Sequence, residues 1–162
     1  MRFWGIAIVA AAVMAAGAAE AGKQTNTQFR AFGQWKVETV LDDGKFFLCR
    51  GVTKTNGGIV GLLYYPNGKW AIAFPDLSLK PGSKVSGSLE IGKASQPVEL
   101  VASQPGVRER VFITDDVLNA LRQGGRVSLK IAGKSFDWDM TDAGQAIGAV
   151  QDCWTAGKKI GG

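Results

Sequence analysis

The most reactive side chains in this sequence are two cysteines, Cys49 and Cys153, and the chain has no histidine. Without histidine, Ser-His-Asp and Cys-His catalysis are excluded, and the commonest metal ligand is missing. Redox-active and metal-binding cysteine pairs are usually closely spaced, as in CxxC, whereas these two lie far apart along the chain. In an exported protein, two such cysteines predict one structural disulfide between Cys49 and Cys153, with free or intermolecular thiols as the alternative.

Carboxylates are the other groups able to do chemistry, and their local context favours structural roles. Asp42 and Asp43 suit a turn, and Asp115 and Asp116 suit a helix N-terminus. Asp137 and Asp139 alternate with apolar residues on a strand, and Asp142 follows at the start of the second helix. The pairing of acids in a glycosidase is spatial, so a carboxylate-dependent hydrolase stays as an alternative. We predict no catalytic residue, no metal ligand and no cofactor.

The first 21 residues have the pattern of a secretory signal peptide. Arg2 provides a positive start, residues 3–16 are apolar, and Ala19 and Ala21 place small residues before a cleavage site near Ala21. The apolar run is shorter than the roughly 20 residues that span a bilayer. The sequence therefore predicts a periplasmic or secreted protein that does not span the membrane after cleavage.

The positive charge of the chain is mild and dispersed. The formal net charge is +5 and the isoelectric point is about 9.4. Lys and Arg form no long run, and one of the densest spots is the Arg-Glu-Arg segment at 108–110. Nucleic-acid binding would require a concentrated basic stripe with interleaved aromatic residues, so we predict no specific nucleic-acid binding.

Behind the signal peptide, we expect a flexible N-terminus at residues 22–31, one β-rich domain at 32–155 and a flexible tail at 156–162. About nine short strands separated by turn signals favour an antiparallel β-sandwich or a barrel-like fold. Turn residues predict hairpins at Asp42–Gly44, at Pro66–Gly68 and at Ala132–Lys134.

Two short helices, at about 115–123 and 142–154, interrupt the strands. Thr114 or Asp115 suits the N-cap of the first helix, and Gly124 suits its end. The second helix has an apolar stripe at i+3 and i+4 spacing that places Cys153 on its inward face. Its two glycines, Gly144 and Gly148, would permit close approach to a sheet.

The segment LLYYPNGKWAIAF places Tyr64, Tyr65 and Trp70 around one hairpin tip. Aromatic residues of this kind are enriched in protein interfaces. They also pack across strands in the absence of any partner. We identify the three residues as the candidate partner-binding patch, with cross-strand packing as the alternative.

Four segments together resemble the invasion-associated locus B family of exported alphaproteobacterial proteins. They are GQWKV, LKPGSKVSGSLEIG, VFITDDVLNALRQGGRVSLKI and FDWDMTDAGQAIGAVQDCW, and the similarity covers residues 32–154. The family often has a cysteine directly after its first strand, where this chain has Glu38 and Thr39, and a mid-domain cysteine pair that is missing here. The resemblance implies a β-rich, non-enzymatic periplasmic or surface protein, linked in some members to host-cell entry.

The sequence therefore predicts a non-catalytic exported protein that binds a protein partner in the bacterial envelope or on a host surface. Two alternatives remain. One is a small-ligand carrier with a cavity inside a barrel, and the other is the carboxylate-dependent hydrolase.

Overall fold

Ten strands and two helices make up residues 23–160, the part of the chain that the computed structural model describes. The strands are β1 (Gln24–Phe32), β2 (Trp35–Asp42), β3 (Lys45–Thr55), β4 (Gly58–Tyr64), β5 (Trp70–Ala73), β6 (Lys84–Ile91), β7 (Ala94–Val101), β8 (Arg110–Phe112), β9 (Arg126–Ile131) and β10 (Lys134–Asp139). The helices are α1 (Asp115–Arg122) and α2 (Ala143–Ile160). The mainly β prediction is confirmed, with ten strands in place of about nine. The predicted signal peptide lies outside the described residues.

The strands form two open antiparallel sheets, each with an edge strand on both sides. The first sheet has the order β1-β2-β3-β4-β5-β8, and the second has the order β10-β9-β6-β7. One buried cluster joins both sheets and both helices. Within it, the ring centroids of Phe74 and Trp138 lie 4.8 Å apart. Phe74 directly follows β5 of the first sheet and Trp138 lies on β10 of the second, so the two sheets meet in the interior. The arrangement is a sandwich, and of the two predicted alternatives the closed barrel is not observed.

The hairpins follow from local turn chemistry. Asp43 and Gly44 have φ angles of 48° and 77°, and Ala132 and Gly133 have φ angles of 51° and 72°. Two successive positive φ values are typical of the two-residue turns whose twist matches the flanking strands. The predicted hairpin at Pro66–Gly68 is also present, since Tyr64 pairs with Trp70 across it.

In the described part of the predicted flexible N-terminus, residues 23–31, the structure differs from that prediction. Residues 24–32 form β1, which pairs along its length with β2 and has a register shift between Gln28 and Arg30. Nearly all of its side chains are exposed. A strand that buries neither face has no reason to alternate apolar and polar residues, so the sequence pattern does not reveal it.

The helix α1 confirms its sequence signals. The hydroxyl of Thr114 accepts a hydrogen bond from the backbone N–H of Val117, and Gly124 follows the helix with a φ of 75°. Val117, Leu118 and Leu121 are buried, as expected for the inward face.

The helix α2 is longer than predicted and includes residues 156–160, which we expected in a flexible tail. Gly157 is buried, and a Cβ atom at this position would collide with the ring of Phe46. The lack of a side chain at Gly157 therefore allows the helix to continue past an aromatic ring of β3. Within residues 23–160, neither helix is long and apolar enough to cross a membrane.

Candidate functional site

Cys49 on β3 and Cys153 on α2 lie at disulfide-bonding distance, with their Cα atoms 6.1 Å apart. Both residues are buried, with exposed fractions of 0% and 1%. The hydroxyl oxygen of Thr39 is 3.4 Å from the sulfur of Cys153. The described part of the chain has no free cysteine. The pair fastens α2 to the first sheet and leaves no thiol available for chemistry.

In residues 23–160 the carboxylates form no metal-binding cluster, and the two whose pKa values are shifted have them lowered. No group of three or more His, Cys, Asp or Glu side chains in residues 23–160 is placed to hold a metal ion. Hydrogen bonds from the hydroxyl and backbone N–H of Thr141 lower the pKa of Asp139. Hydrogen bonds from Lys130 and Ser88 lower the pKa of Glu90. A glycosidase general acid needs a raised pKa, so both shifts have the wrong direction for that role.

The three aromatic residues of the predicted hairpin patch do not share one surface. Trp70 is only 5% exposed, and its ring centroid is 4.9 Å from that of Tyr64. Tyr64 also contacts Trp154 of α2, at 5.4 Å between centroids. Tyr65 points to the opposite face of the sheet, where its ring centroid is 5.4 Å from that of Phe112. Tyr64 and Trp70 therefore pack in the interior, and only Tyr65 lies on an outer surface.

The outer face of the second sheet is polar, as expected for a face in contact with water, apart from the exposed Val101 at the end of β7. Lys130 forms an ion pair with Glu90 at 2.9 Å, and Ser88 donates a hydrogen bond to Glu90 at 3.1 Å. Ser128 donates a hydrogen bond to Asp137 across the β9–β10 pair. These cross-strand polar contacts are the usual pattern for a solvated antiparallel sheet.

The outer face of the first sheet is different because its centre is apolar. Leu62 and Ile72 belong to the interior cluster, so the alternation of side chains turns Leu63 and Ala73 outward. Leu63 and Ala73 form a second, separate cluster with two further buried residues, and two half-buried aromatic rings pack against it. The further members are Val40, Leu48, Phe47 and Tyr65.

A bulge in β3 contributes two of these residues. Val40 pairs with Leu48 and Leu41 pairs with Phe46, which leaves Phe47 as an extra residue between them. Such a bulge re-aims the neighbouring side chains. The ring of Phe46 lies 5.0 Å from that of Trp154 on the inner side, while Phe47 and Leu48 both join the outer cluster.

A surface groove of about 290 Å³ lies beside this cluster. Small or aliphatic residues from three strands line its floor: Val52, Gly61, Leu63 and Ala73. Its walls carry Arg50, Arg108, Arg110 and Val107. Phe112 and Val107 are each 52% exposed, which is high for large apolar side chains.

We call this surface the outer-face patch and define it as Leu63, Tyr65, Val107 and Phe112 together with Arg50, Arg108 and Arg110. Arg50 forms a half-buried ion pair with Glu38 at 2.8 Å. Arg110 donates a hydrogen bond to the hydroxyl of Tyr65 at 3.4 Å. Within residues 23–160, neither Arg108 nor Arg110 forms an ion pair with a carboxylate. Two guanidinium groups of the patch are therefore available to an acidic partner.

Sequence reasoning missed most of this patch. Of its members, only Tyr65 was a candidate, although the Arg-Glu-Arg segment was identified as a dense basic spot. The alternation of Arg110, Val111 and Phe112 indicates part of the patch. Val111 is buried, so its two neighbours on the strand face outward together.

Comparisons of the chain with protein-family models, with curated proteins and with solved structures found no match.

Proposed function

We propose that this protein is a non-catalytic, exported binding or accessory module of the bacterial envelope, and that a protein partner docks on the outer-face patch. The observation that supports this most directly is the contrast between the two outer sheet faces. One is polar apart from Val101, whereas the other has a buried apolar cluster beside the exposed side chains of Phe112 and Val107. Exposed apolar surface rimmed by polar residues marks interaction sites in soluble proteins.

The composition of the patch also suits a protein interface. Aromatic residues and arginine are enriched in such interfaces, whereas lysine is depleted. The groove is lined by three arginines and by no lysine. Arginine and tyrosine are also frequent among the few residues that contribute most of the binding energy.

Export is the part of the proposal that rests on the sequence pattern and on the cysteines. Disulfides persist in oxidising compartments, so a buried cysteine pair at bonding distance is compatible with an exported protein. The resemblance to the invasion-associated locus B family supports an envelope location and a link to host interaction. Neither alternative function gains support, because the two sheets of residues 23–160 do not close into a barrel and the pKa values of Glu90 and Asp139 are lowered.

Mild chemical crosslinking of intact bacterial envelopes, followed by mass spectrometry, tests this function. We expect a discrete crosslinked species whose partner, once purified, binds the mature chain in a defined ratio by analytical ultracentrifugation. A mature chain that stays monomeric and uncrosslinked in its native envelope would contradict the proposal.

A further inference from the structure

Two arginines that form no ion pair within residues 23–160 line the groove of the outer-face patch, and the floor of this groove is apolar. From this juxtaposition we propose that the patch recognises an acidic protein segment with apolar side chains. Carboxylates of the segment pair with Arg108 and Arg110, while its apolar side chains occupy the groove. This inference rests on the proposed function and names the chemistry of the partner.

The positions of the charged groups support a specific contact. Arg110 pairs with Ala73 and Phe112 pairs with Ala71, which places the guanidinium group and the ring on the same face of the edge strand β8. Arg108 and Val107 precede β8 and line the same groove. A segment bound here meets a positive group and an apolar surface at once.

The floor of the groove permits close approach. Gly61 on β4 pairs with Ala73 on β5, so two of the smallest side chains lie next to each other in the sheet. Their neighbour Leu63 contributes apolar surface to the same floor. An apolar side chain can therefore sit close to the sheet surface between larger residues.

The use of arginine favours carboxylate recognition at a defined place. The guanidinium group presents a planar fork of donors that matches a carboxylate with two hydrogen bonds. Anionic membranes are usually recognised by clusters of four to eight Lys or Arg, which act through their summed charge. Here Arg50 already pairs with Glu38, and no lysine lines the groove. The small number of charges around a groove with an apolar floor favours an acidic protein segment over a lipid surface.

Fluorescence anisotropy with defined probes tests this proposal on the mature, disulfide-bonded chain. The first probe is a labelled short peptide in which Glu alternates with Phe and Leu, and the second has Gln at every Glu position. We expect the Gln peptide to bind at least about tenfold more weakly, because it cannot form charge-assisted hydrogen bonds. Added salt should weaken binding of the Glu peptide.

A pair of charge-reversal variants assigns the binding to the patch. Arg108→Glu with Arg110→Glu should weaken binding of the Glu peptide by at least about tenfold. The matched control, Lys80→Glu with Lys93→Glu, reverses two exposed charges elsewhere and should retain wild-type affinity. Circular dichroism and thermal unfolding verify that both variants fold.

Two further probes, phosphatidylglycerol vesicles and inorganic phosphate, test whether the patch binds a lipid or a phosphate instead. Phosphate-sensitive binding to vesicles, together with no preference for the Glu peptide over the Gln peptide, would overturn the proposal in favour of a lipid or phosphate ligand. Equal losses in the two charge-reversal variants would also overturn it, since net charge alone would then explain binding. If envelope crosslinking captures a partner equally with wild type and the Arg108/Arg110 variant, the proposed function survives and this inference fails.

Discussion

One glycine of α2, Gly144, determines how closely the two helices approach. A Cβ atom at Gly144 would collide with the backbone carbonyl of Arg122 at the end of α1, whereas a Cβ atom at Gly148 would meet nothing within 4 Å. The two glycines, which we expected to allow contact with a sheet, thus have different environments. Gly144 is required for helix–helix contact, and Gly148 faces open space.

Alanine at these two positions should have opposite effects on stability. Gly144→Ala should lower the free energy of unfolding by about 1–3 kcal/mol, because the α1 backbone must move. Gly148→Ala should raise it by about 0.5–1 kcal/mol, because alanine has the higher helix propensity. Urea denaturation of both variants provides the measurement, and effects of the same sign would contradict this account of the contact.

At the scale of elements, the cysteine pair connects β3 to α2. Cys49 and Cys153 are separated by 104 positions in the sequence, so a crosslink between them closes a long loop in the unfolded chain. Replacing both with alanine should lower the free energy of unfolding by about 2–5 kcal/mol. Thermal unfolding with and without reductant checks this prediction. Reductant should lower the Tm of wild type and leave that of the double variant unchanged, whereas an unaffected wild type would show that no stabilising disulfide forms.

Asp139, the last residue of β10, should make the stability of the protein depend on pH. Asp139 accepts hydrogen bonds from the hydroxyl of Thr141 at 2.6 Å and from its backbone N–H at 2.9 Å, and these bonds lower the pKa of its carboxyl group. Arg126 adds a smaller effect in the same direction. The carbonyl of Thr141 in turn accepts a hydrogen bond from the buried indole of Trp35 at 2.8 Å.

Because the folded-state pKa of Asp139 is below the unfolded value of about 3.9, its contribution to stability is present above that pH. The contribution is lost as the pH falls through the folded-state pKa. The stability difference between wild type and Asp139→Asn should therefore be constant near neutral pH and shrink below about pH 4. Urea denaturation across that range measures it, and a difference that grows on acidification would show that the sign is wrong.

Elements defined by local chemistry were predictable from the sequence, and those defined by distant contacts were not. The turn at Asp43–Gly44 and the Thr114 cap depend on neighbouring residues alone. The strand β1 depends on pairing with β2, and the end of α2 depends on Gly157 packing against Phe46. Predicting the outer-face patch also required the strand order, because β8 lies beside β5 and brings Phe112 next to Tyr65.

At the scale of the whole molecule, the sandwich has one polar outer face and one outer face with an apolar, arginine-lined centre. The interior cluster and the Cys49–Cys153 pair between β3 and α2 stabilise the inner side of the first sheet. They do not require Phe112, Val107 or Arg108 to be exposed on the other side. The proposed docking of a protein partner would explain why these side chains are exposed on that side.

Site-specific photocrosslinking tests this central claim most directly. A photoreactive phenylalanine analogue replaces either Phe112 on the outer-face patch or Lys93 in the exposed turn of the second sheet, and the protein is irradiated in its native envelope. We predict a discrete crosslinked protein from position 112 and none from position 93. Absence of a crosslink at 112, or the same product from both positions, would contradict the assignment of the outer-face patch as the binding surface.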